Sequence, residues 1–438
     1  MICSRASRSL GGARLLELRR SPQALGLLDQ AIVSISNFSI TWMLARKLPP
    51  PEYGLYAIVI GLILTLNSIQ SSLLVFPFTI RYAGADLPNW QSGVVRYLLL
   101  SLASAPVQVL IVAVGCVYLN HLALVISAIA ALCLWQVQEI IRRAMFQRGL
   151  FLRAIATDCI RYIVPLILVV LLPRRLLATR AVLFFIGGAS VAAASPCLGT
   201  FSNGWQAAFS WSAIRREIGD SWKIGRSMVL FNAAGSALSQ GCLWTLGSME
   251  GLAGASQYQA INNLMGVTNP PIFGIAAVRD PAVARAYSRA GARVAIRESV
   301  PYIGVICALI LPALALFASF PDWTLLRFYG KTSPYLMLGR PLQIATVWQI
   351  LAVGSQVAAS VLACIDRVDF IWRVQMITSL ACLAAMVPVV RWGGLSGCFI
   401  SLTAFSAVAL TAMAWQLYAA YSETVRGQVS VKEAAINA

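Results

Sequence analysis

Eight long runs of this sequence contain no Asp, Glu, Lys or Arg, and they dictate the environment in which the chain can fold. A helix needs roughly 20 residues to cross a hydrocarbon core about 30 Å thick, so every run is long enough to span a bilayer, and residues 97–138 are long enough to span it twice. The runs are residues 53–80, 97–138, 181–214, 227–249, 251–278, 299–321, 341–365 and 392–422.

Three further apolar segments are short or contain ionisable residues: residues 24–45, 154–172 and 374–390. Only 11% of the 438 residues are charged and 59% are hydrophobic, whereas a soluble surface needs roughly 25% charged residues. The sequence therefore predicts an all-α integral membrane protein with about twelve transmembrane helices.

The cations predict the orientation of these spans. If the N-terminus is cytoplasmic and twelve spans alternate, 24 Lys and Arg fall on inside segments, nine fall on outside segments and Arg161 lies within a span. This excess agrees with the positive-inside rule and puts both termini in the cytoplasm. The first 23 residues are rich in Arg and Ser, which also fits a mitochondrial transit peptide; a basic cytoplasmic segment of a bacterial protein is the interpretation we adopt.

A faint internal repeat divides the chain into two halves. A shift of 202 residues superposes Gln30 on Asn232, Ser34 on Ser236 and Tyr56 on Tyr258. Two parallel six-helix halves are typical of a duplicated transporter. The predicted domains are a basic segment 1–23, an N-terminal bundle 24–199, a cytoplasmic linker 200–224, a C-terminal bundle 225–420 and a cytoplasmic tail 421–438.

Polar residues form a stripe on one face of the first predicted span and again on the seventh. These residues are Gln30, Ser34, Asn37, Asn232, Ser236 and Gln240. Such residues either join helices to each other, at about 0.6 kcal/mol per contact, or line a water-filled cavity. Their presence at equivalent places in both halves favours the cavity. The Pro270–Pro271 pair is expected to interrupt the eighth span within the membrane.

Two aspartates are candidates for binding a coupling ion. Asp158 and Arg161 are three residues apart, so we expect them to pair on one helix face. The pair is either a buried structural ion pair or a cation for an anionic substrate with a carboxylate beside it. Asp29 lies near the start of the first span, where a proton or ion site and a helix-start role are both open.

The sequence lacks the motifs of several other functions. Gly330-Lys331-Thr332 has no preceding glycine at the spacing of a phosphate loop. The ten cysteines are scattered and the chain has one His, so no metal site and no cofactor are expected. The Lys and Arg residues behind the net charge of +18 lie between apolar runs. This placement indicates membrane topology and not nucleic-acid binding. Arg285, Arg289, Arg293 and Arg297 recur every four residues, and we expect them to contact anionic lipid headgroups.

Residues 44–57, with Leu44-Ala45-Arg46 followed by Glu52-Tyr53-Gly54-Leu55-Tyr56-Ala57, carry a family resemblance. The segment resembles the connection between the first two helices in the polysaccharide-exporter, or O-antigen-flippase-like, branch of the multidrug/oligosaccharidyl-lipid/polysaccharide (MOP) exporter superfamily. Residues 256–260 resemble the weaker counterpart in the second half, and the Arg-rich connection 142–161 is also similar to that family.

The resemblance implies two six-helix bundles around a central V-shaped cavity in the bacterial inner membrane, and no enzymatic activity. The implied substrate is a polyprenyl-pyrophosphate-linked oligosaccharide for surface or exopolysaccharide biosynthesis. The implied partners are this glycan, membrane lipids and polysaccharide polymerase machinery. Four arginines are expected to collect the anion: Arg81, Arg153, Arg161 and Arg279. Two alternatives stay open, an ion-coupled drug or metabolite exporter of the same superfamily and a membrane-embedded glycan-modifying enzyme.

Overall fold

The computed structural model of the chain describes residues 22–436, with side chains described for residues 24–422 apart from six positions between 206 and 237. The predicted N-terminal segment 1–23 lies outside the described residues except for its last two, and the predicted tail 421–438 extends beyond them. Helices make up 92% of the described residues, which contain no strand. The all-α prediction is confirmed.

Fourteen helices follow one another along the described chain. They are α1 Pro22–Lys47, α2 Pro50–Gln70, α3 Phe76–Arg81, α4 Leu87–Tyr118, α5 Val125–Gln147, α6 Phe151–Leu171, α7 Thr179–Leu198, α8 Gly204–Ala208, α9 Trp211–Met249, α10 Gly251–Met265, α11 Asn269–Ser319, α12 Pro321–Tyr329, α13 Gly339–Cys364 and α14 Val368–Ile436. A π-helical turn at Ser71–Val75 joins α2 to α3, so the two helices form one continuous segment.

Eight helical segments in the described residues are long and apolar enough to cross a membrane. Two of them, Gly251–Ser319 and Val368–Ser422, have 69 and 55 residues, which is enough for two crossings each. Helices α1 and α9, with 26 and 39 residues, also have the required length. Counting the two long segments twice and adding α1 and α9 gives the predicted number of about twelve. The protein is a multi-pass membrane protein.

Glycine and proline residues divide the long segments. The helix before Pro270–Pro271 ends in a 3₁₀ turn at Gly266–Thr268, and α11 begins at Asn269, so the predicted interruption is confirmed. Gly291 has φ +79° and breaks α11, and Gly394 has φ +53° and breaks α14. A positive φ of this kind suits glycine because it has no Cβ. The kink at Gly291 means that the four regularly spaced arginines do not lie on one continuous helix.

The packing defines two compact units. Among the described residues, the first contains 22–40 and 69–228, and the second contains 41–68 and 229–436. Residues 41–68 thus pack with the second unit, although the sequence-based boundaries assign them to the N-terminal bundle. The predicted linker 200–224 packs within the first unit. A Cβ on Gly204 would lie 2.5 Å from the Gln91 carbonyl oxygen, and one on Gly225 would lie 2.5 Å from that of Ser72.

The Glu52-Tyr53-Gly54 motif has a clear packing role in the second unit. Gly54 of α2 lies so close to α10 that a Cβ would come within 1.8 Å of the Leu252 carbonyl oxygen. Tyr53 is fully buried, and its ring lies 6.4 Å from that of Tyr335. Aromatic pairs at this separation stabilise a core by about 0.5–1.5 kcal/mol beyond their buried area. The absent Cβ and the buried aromatic ring together set how closely α2 approaches α10.

We expect Gly54→Ala to destabilise the protein by about 1–3 kcal/mol or more, because the added methyl group must push two backbones apart. The thermal melting temperature of the detergent-purified protein measures this effect. The matched control is Gly188→Ala in α7, where no atom lies within 4 Å of the new Cβ. Removing a mid-helix glycine there is expected to be neutral or stabilising. Equal melting temperatures for the wild type and Gly54→Ala would contradict the packing role.

Candidate functional site

A cluster of buried ion pairs joins three helices of the first unit. The Arg142 guanidinium of α5 donates through Nη1 to Asp29 Oδ2 of α1 and to Asp158 Oδ2 of α6, both at 3.2 Å. Its Nε and Nη2 donate to the two Glu139 oxygens at 3.0 and 2.9 Å. Asp158 is completely buried and Asp29 is 5% exposed. One arginine therefore contacts all three carboxylates.

Arg161 lies beside this cluster but does not pair directly with Asp158. Gln138 lies between them: its amide nitrogen donates to Asp158 Oδ1 at 3.1 Å, and its amide oxygen accepts from Arg161 Nη1 at 2.9 Å. The Arg161 guanidinium carbon lies 3.9 Å from the Trp135 ring centroid and 4.6 Å from that of Tyr162. Such cation–π contacts stabilise a desolvated cation by about 2 kcal/mol. The expected direct Asp158–Arg161 ion pair is wrong, because neighbouring helices supply better partners.

The cluster is electrically balanced. Its three carboxylates are Asp29, Glu139 and Asp158, and its three guanidinium groups belong to Arg142, Arg143 and Arg161. Asp29 Oδ1 and Arg161 Nε are buried without a hydrogen-bond partner. An unpaired buried charge costs several kcal/mol, so the arginines beside these carboxylates lower the cost of burying them in an apolar bundle. The sequence identified Asp29, Asp158 and Arg161 but not the central role of Arg142.

Arg81 is held by acidic residues of the linker. Its Nη1 donates to Glu217 Oε2, and its Nη2 lies 3.2 Å from Asp220 Oδ2. Glu217 is 3% exposed and also accepts from the Tyr82 hydroxyl. Burial, together with this hydrogen bond, raises the pKa of Tyr82, so the phenol stays protonated and donating. These contacts fix the start of α9 against the end of α3, and Glu217 has no counterpart among the sequence-based candidates.

The other two candidate arginines lie in different surroundings. Arg279 is 1% exposed, and its Nε donates to Asp280 Oδ1 at 2.9 Å. Asp280 Oδ2 accepts from Ser360 of α13 at 2.8 Å, so the pair is part of a helix contact. Arg279 Nη1 is buried without a partner. Arg153 is exposed.

The polar stripe residues are distributed over the two units. Gln30, Ser34 and Asn37 belong to the first unit, and Gln30 Nε2 donates to Ser34 Oγ at 3.2 Å. Asn232, Ser236 and Gln240 belong to the second unit. Gln240 lies against Gly61 of α2: a Cβ on Gly61 would come 2.2 Å from the amide oxygen of Gln240. Gln240 therefore serves helix packing, and the lining of a cavity by the stripe residues stays a prediction.

The second unit contains a mainly apolar, uncharged cavity with a few polar side chains in its lining, which the sequence did not reveal. Its volume is about 320 Å³, which lies at the lower end of the range for small-molecule sites, roughly 300–1,000 Å³. Helices α9, α13 and α14 form its walls. The lining includes Trp348, Ser355, Gln356, Gln375, Thr378 and Ser406 among aliphatic side chains.

None of the described residues that line this cavity carries a charge. Within the described part of the chain, the amides of Gln356 and Gln375 form no hydrogen bond. The Trp348 ring lies 5.8 Å from that of Phe399. An aromatic wall with a few neutral donors and acceptors suits a polar, uncharged group. The two amides and the Ser406 hydroxyl could exchange hydrogen bonds with such a group without desolvating an ion, whereas the Ser355 and Thr378 hydroxyls already donate within the protein.

No protein-family model matches the chain, and no curated protein matches its sequence. Solved structures do match. An inward-facing multidrug-resistance MATE family transporter of the MOP superfamily aligns with TM-score 0.73 at 15% identity, covering 90% of this chain and 96% of the transporter. The lipid II flippase MurJ, in an inward closed conformation, aligns with TM-score 0.69 at 10% identity, covering 89% and 87% of the two chains.

A MOP superfamily transporter from Pyrococcus furiosus Vc1 also aligns, with TM-score 0.61 and 12% identity, covering 93% of this chain and 98% of that one. The chain has the fold of the MOP superfamily transporters, so the expected superfamily fold is confirmed. The first of these proteins is a multidrug-resistance transporter and MurJ is a lipid II flippase, whereas the reversed polarity of the binding pocket suggests a different function for the Pyrococcus protein. The low identities establish the fold alone.

Proposed function

We propose that the protein translocates a polyprenyl-pyrophosphate-linked oligosaccharide across the bacterial inner membrane by alternating access, for surface or exopolysaccharide biosynthesis. The uncharged cavity of the second unit, with the amide and hydroxyl side chains in its lining, carries this proposal. Sugar hydroxyls cannot enter hydrocarbon without losing their hydrogen bonds to water. Amides and hydroxyls such as those of Gln356, Gln375 and Ser406 replace those bonds, while the lipid chain stays in the bilayer.

The balanced cluster around Arg142 supports the same choice. An exporter of cationic drugs needs a carboxylate whose charge is available to the drug or to a coupling ion. Here Arg142 bridges Asp29 and Asp158 at 3.2 Å. Its guanidinium therefore occupies the place beside these carboxylates where a cationic drug or a coupling ion would bind. Transport of an anionic cargo needs no such ion. A pyrophosphate with about two negative charges gains roughly 2.3 kcal/mol per charge per 100 mV when it moves outward through an inside-negative potential.

A second candidate is an ion-coupled drug or metabolite exporter, and one observation favours it. Asp29 Oδ1 is buried without a hydrogen-bond partner, which leaves an acceptor for a coupling proton between Asp29 and Asp158. In that case Asp29→Asn or Asp158→Asn abolishes efflux of a cationic dye from cells. If the protein has the proposed function instead, neither substitution changes dye efflux. Both then lower glycan export, because they destabilise the cluster.

Purified protein in liposomes separates these functions. A fluorescent polyprenyl-pyrophosphate oligosaccharide is added with the lipid, and an impermeant quencher reports how much of it has changed leaflet. We expect the protein to accelerate its exchange while consuming no donor substrate. Acceleration of a cationic dye instead, or chemical modification of the glycan, would contradict the proposal and favour the exporter or the membrane-embedded enzyme.

Arg161 is the arginine that we propose for the cargo phosphate, with Arg81, Arg153 and Arg279 as further cations on its route. Arg161→Ala is expected to impair glycan export more than it lowers the amount of folded protein. Arg161→Lys keeps the charge but loses the planar stack between Trp135 and Tyr162, so it should keep part of the export. Normal export by a folded Arg161→Ala variant would remove Arg161 from the site, and export that falls only in proportion to folded protein would make it structural.

A further inference from the structure

A second cavity of the second unit is almost entirely apolar. Its volume is about 370 Å³, and it opens at the protein surface, where the lining residues Val300, Leu311 and Ile350 are exposed. The walls come from the second part of α11, from α13 and from α14. They consist of Ile, Val, Leu, Ala and Gly with Ser299 and Cys307. None of the polar stripe residues contributes to it.

The extent of this cavity along α11 is sufficient for a lipid chain. On α11 the lining extends from Ile296 to Leu311, which corresponds to about 22 Å at 1.5 Å per residue. One leaflet of the hydrocarbon core is about 15 Å thick. Ser299 does not compete for a polar ligand, because its hydroxyl donates to the Ile296 carbonyl oxygen at 2.6 Å. The cavity can therefore accept one chain of a lipid along its length.

A cation lies at one end of the cavity. Arg293 precedes the lining residue Ile296 by three positions, so the two share a helix face. Its Nε donates to the Tyr421 hydroxyl at 3.3 Å, and its guanidinium carbon lies 5.3 Å from the Tyr421 ring centroid. Tyr421 follows the lining residue Leu417 by one turn of α14. Within the described part of the chain, the Nη atoms of Arg293 form no ion pair.

The neighbouring charges support an anion at this end. Arg297 follows Ile296 directly and is exposed. Glu298 is exposed as well, but it lies about 200° around the helix from Ile296 at 100° per residue, and therefore faces away from the cavity. An anionic headgroup at Arg293 would have its chain directed into the apolar lining.

We infer that this cavity binds one chain of an anionic membrane phospholipid, with its phosphate at Arg293 and Arg297. The inference goes beyond the proposed transport function, because the cavity offers nothing that would hold a sugar. Its walls are aliphatic, and the described residues that line it include no amide side chain and no aromatic ring. The phospholipid would fill the space between α11, α13 and α14 and hold the three helices together.

The experiment measures lipid retention by native mass spectrometry on the purified full-length protein. The probes are phosphatidylglycerol and phosphatidylcholine with identical chains. We expect the wild type to retain one phosphatidylglycerol preferentially. Arg293→Gln should weaken this retention about fivefold, the factor expected from removing one arginine next to an anionic headgroup. The matched control Arg289→Gln lies before the Gly291 kink, is exposed and should leave retention unchanged.

Filling the cavity provides an independent test. Cys307→Phe should weaken retention at least tenfold, the loss expected when two buried methylenes are excluded. Val305→Phe introduces the same ring at a 51% exposed position of the same helix and should have no effect. Equal retention of both phospholipids, insensitive to Arg293→Gln, would overturn the inference. Displacement of phosphatidylglycerol by undecaprenyl phosphate would overturn it too, since the cavity would then belong to the cargo. No transport is measured, so failure of the proposed function leaves these results unaffected.

Discussion

Arg142→Gln is expected to destabilise the protein by roughly 3–5 kcal/mol, the usual cost of removing one partner from a buried ion pair. The guanidinium of Arg142 is the only contact shared by Asp29, Glu139 and Asp158 among the described residues. Its loss leaves an excess of negative charge among helices α1, α5 and α6. Part of this charge belongs to Asp158, which is completely buried. The thermal melting temperature and the yield of monodisperse protein after detergent extraction measure the effect, and glycan export should fall with them.

The adjacent arginine offers a matched control. Arg143 also contacts Glu139, at 2.9 Å, but its side chain is 47% exposed. Exposed ion pairs contribute about 0–1 kcal/mol, so Arg143→Gln should change the melting temperature little. A rescue experiment tests the cause: Asp158→Asn combined with Arg142→Gln removes one buried negative charge and should recover part of the lost stability. If the double variant is less stable than Arg142→Gln alone, charge imbalance is not the cause.

The transmembrane architecture could be predicted because the membrane makes charge expensive everywhere along a span. Runs such as 53–80 and 227–249 are therefore visible in the sequence without any knowledge of packing. Helix interruptions are local effects of residue type, which is why Pro270–Pro271 identified the break before α11. The break at Gly291 gave no such signal, because a single glycine within a helix is common and only its φ of +79° reveals the kink.

The candidate site was predictable only in part, because a spacing along one helix does not fix how that helix is rotated against its neighbours. Asp158 and Arg161 are near each other, as their spacing indicated, but Gln138 of another helix separates them. Arg142 was one cation in an Arg-rich connection until the structure placed its Nη1 3.2 Å from both aspartates. Glu217 became significant for a similar reason, since its partner Arg81 lies 136 residues away in the chain.

The cavity between α9, α13 and α14 was missed although its polar residues gave a usable signal. Gln356 lies within the charge-free run 341–365, and Gln375 lies within the short apolar segment 374–390. A glutamine inside a span is costly unless it finds a polar partner or a cavity. Each residue alone is unremarkable, and only the packing of α13 against the first part of α14 brings the two amides to one cavity.

These two amides provide the most direct test of the proposed cargo. Gln375→Leu is expected to lower the rate of glycan flipping in liposomes about tenfold, because a sugar hydroxyl left without a partner costs about 1–3 kcal/mol. Gln356→Leu should have a similar effect, and the double variant a larger one. Folding should be preserved, since neither amide forms a hydrogen bond with another described residue and leucine resembles glutamine in size.

Gln343→Leu is the matched control, because Gln343 lies on the same helix as Gln356 but donates to the Ala318 carbonyl oxygen at 2.9 Å and does not line the cavity. The Gln343→Leu protein should flip the glycan at the wild-type rate, and so should the Arg289→Gln protein. Trp348→Leu should reduce flipping as well, by removing the aromatic wall. If the Gln356 and Gln375 double variant is stable and flips the glycan at the wild-type rate, the sugars do not pass through this cavity, and the polar stripes at Ser34 and Ser236 become the remaining candidates for their path.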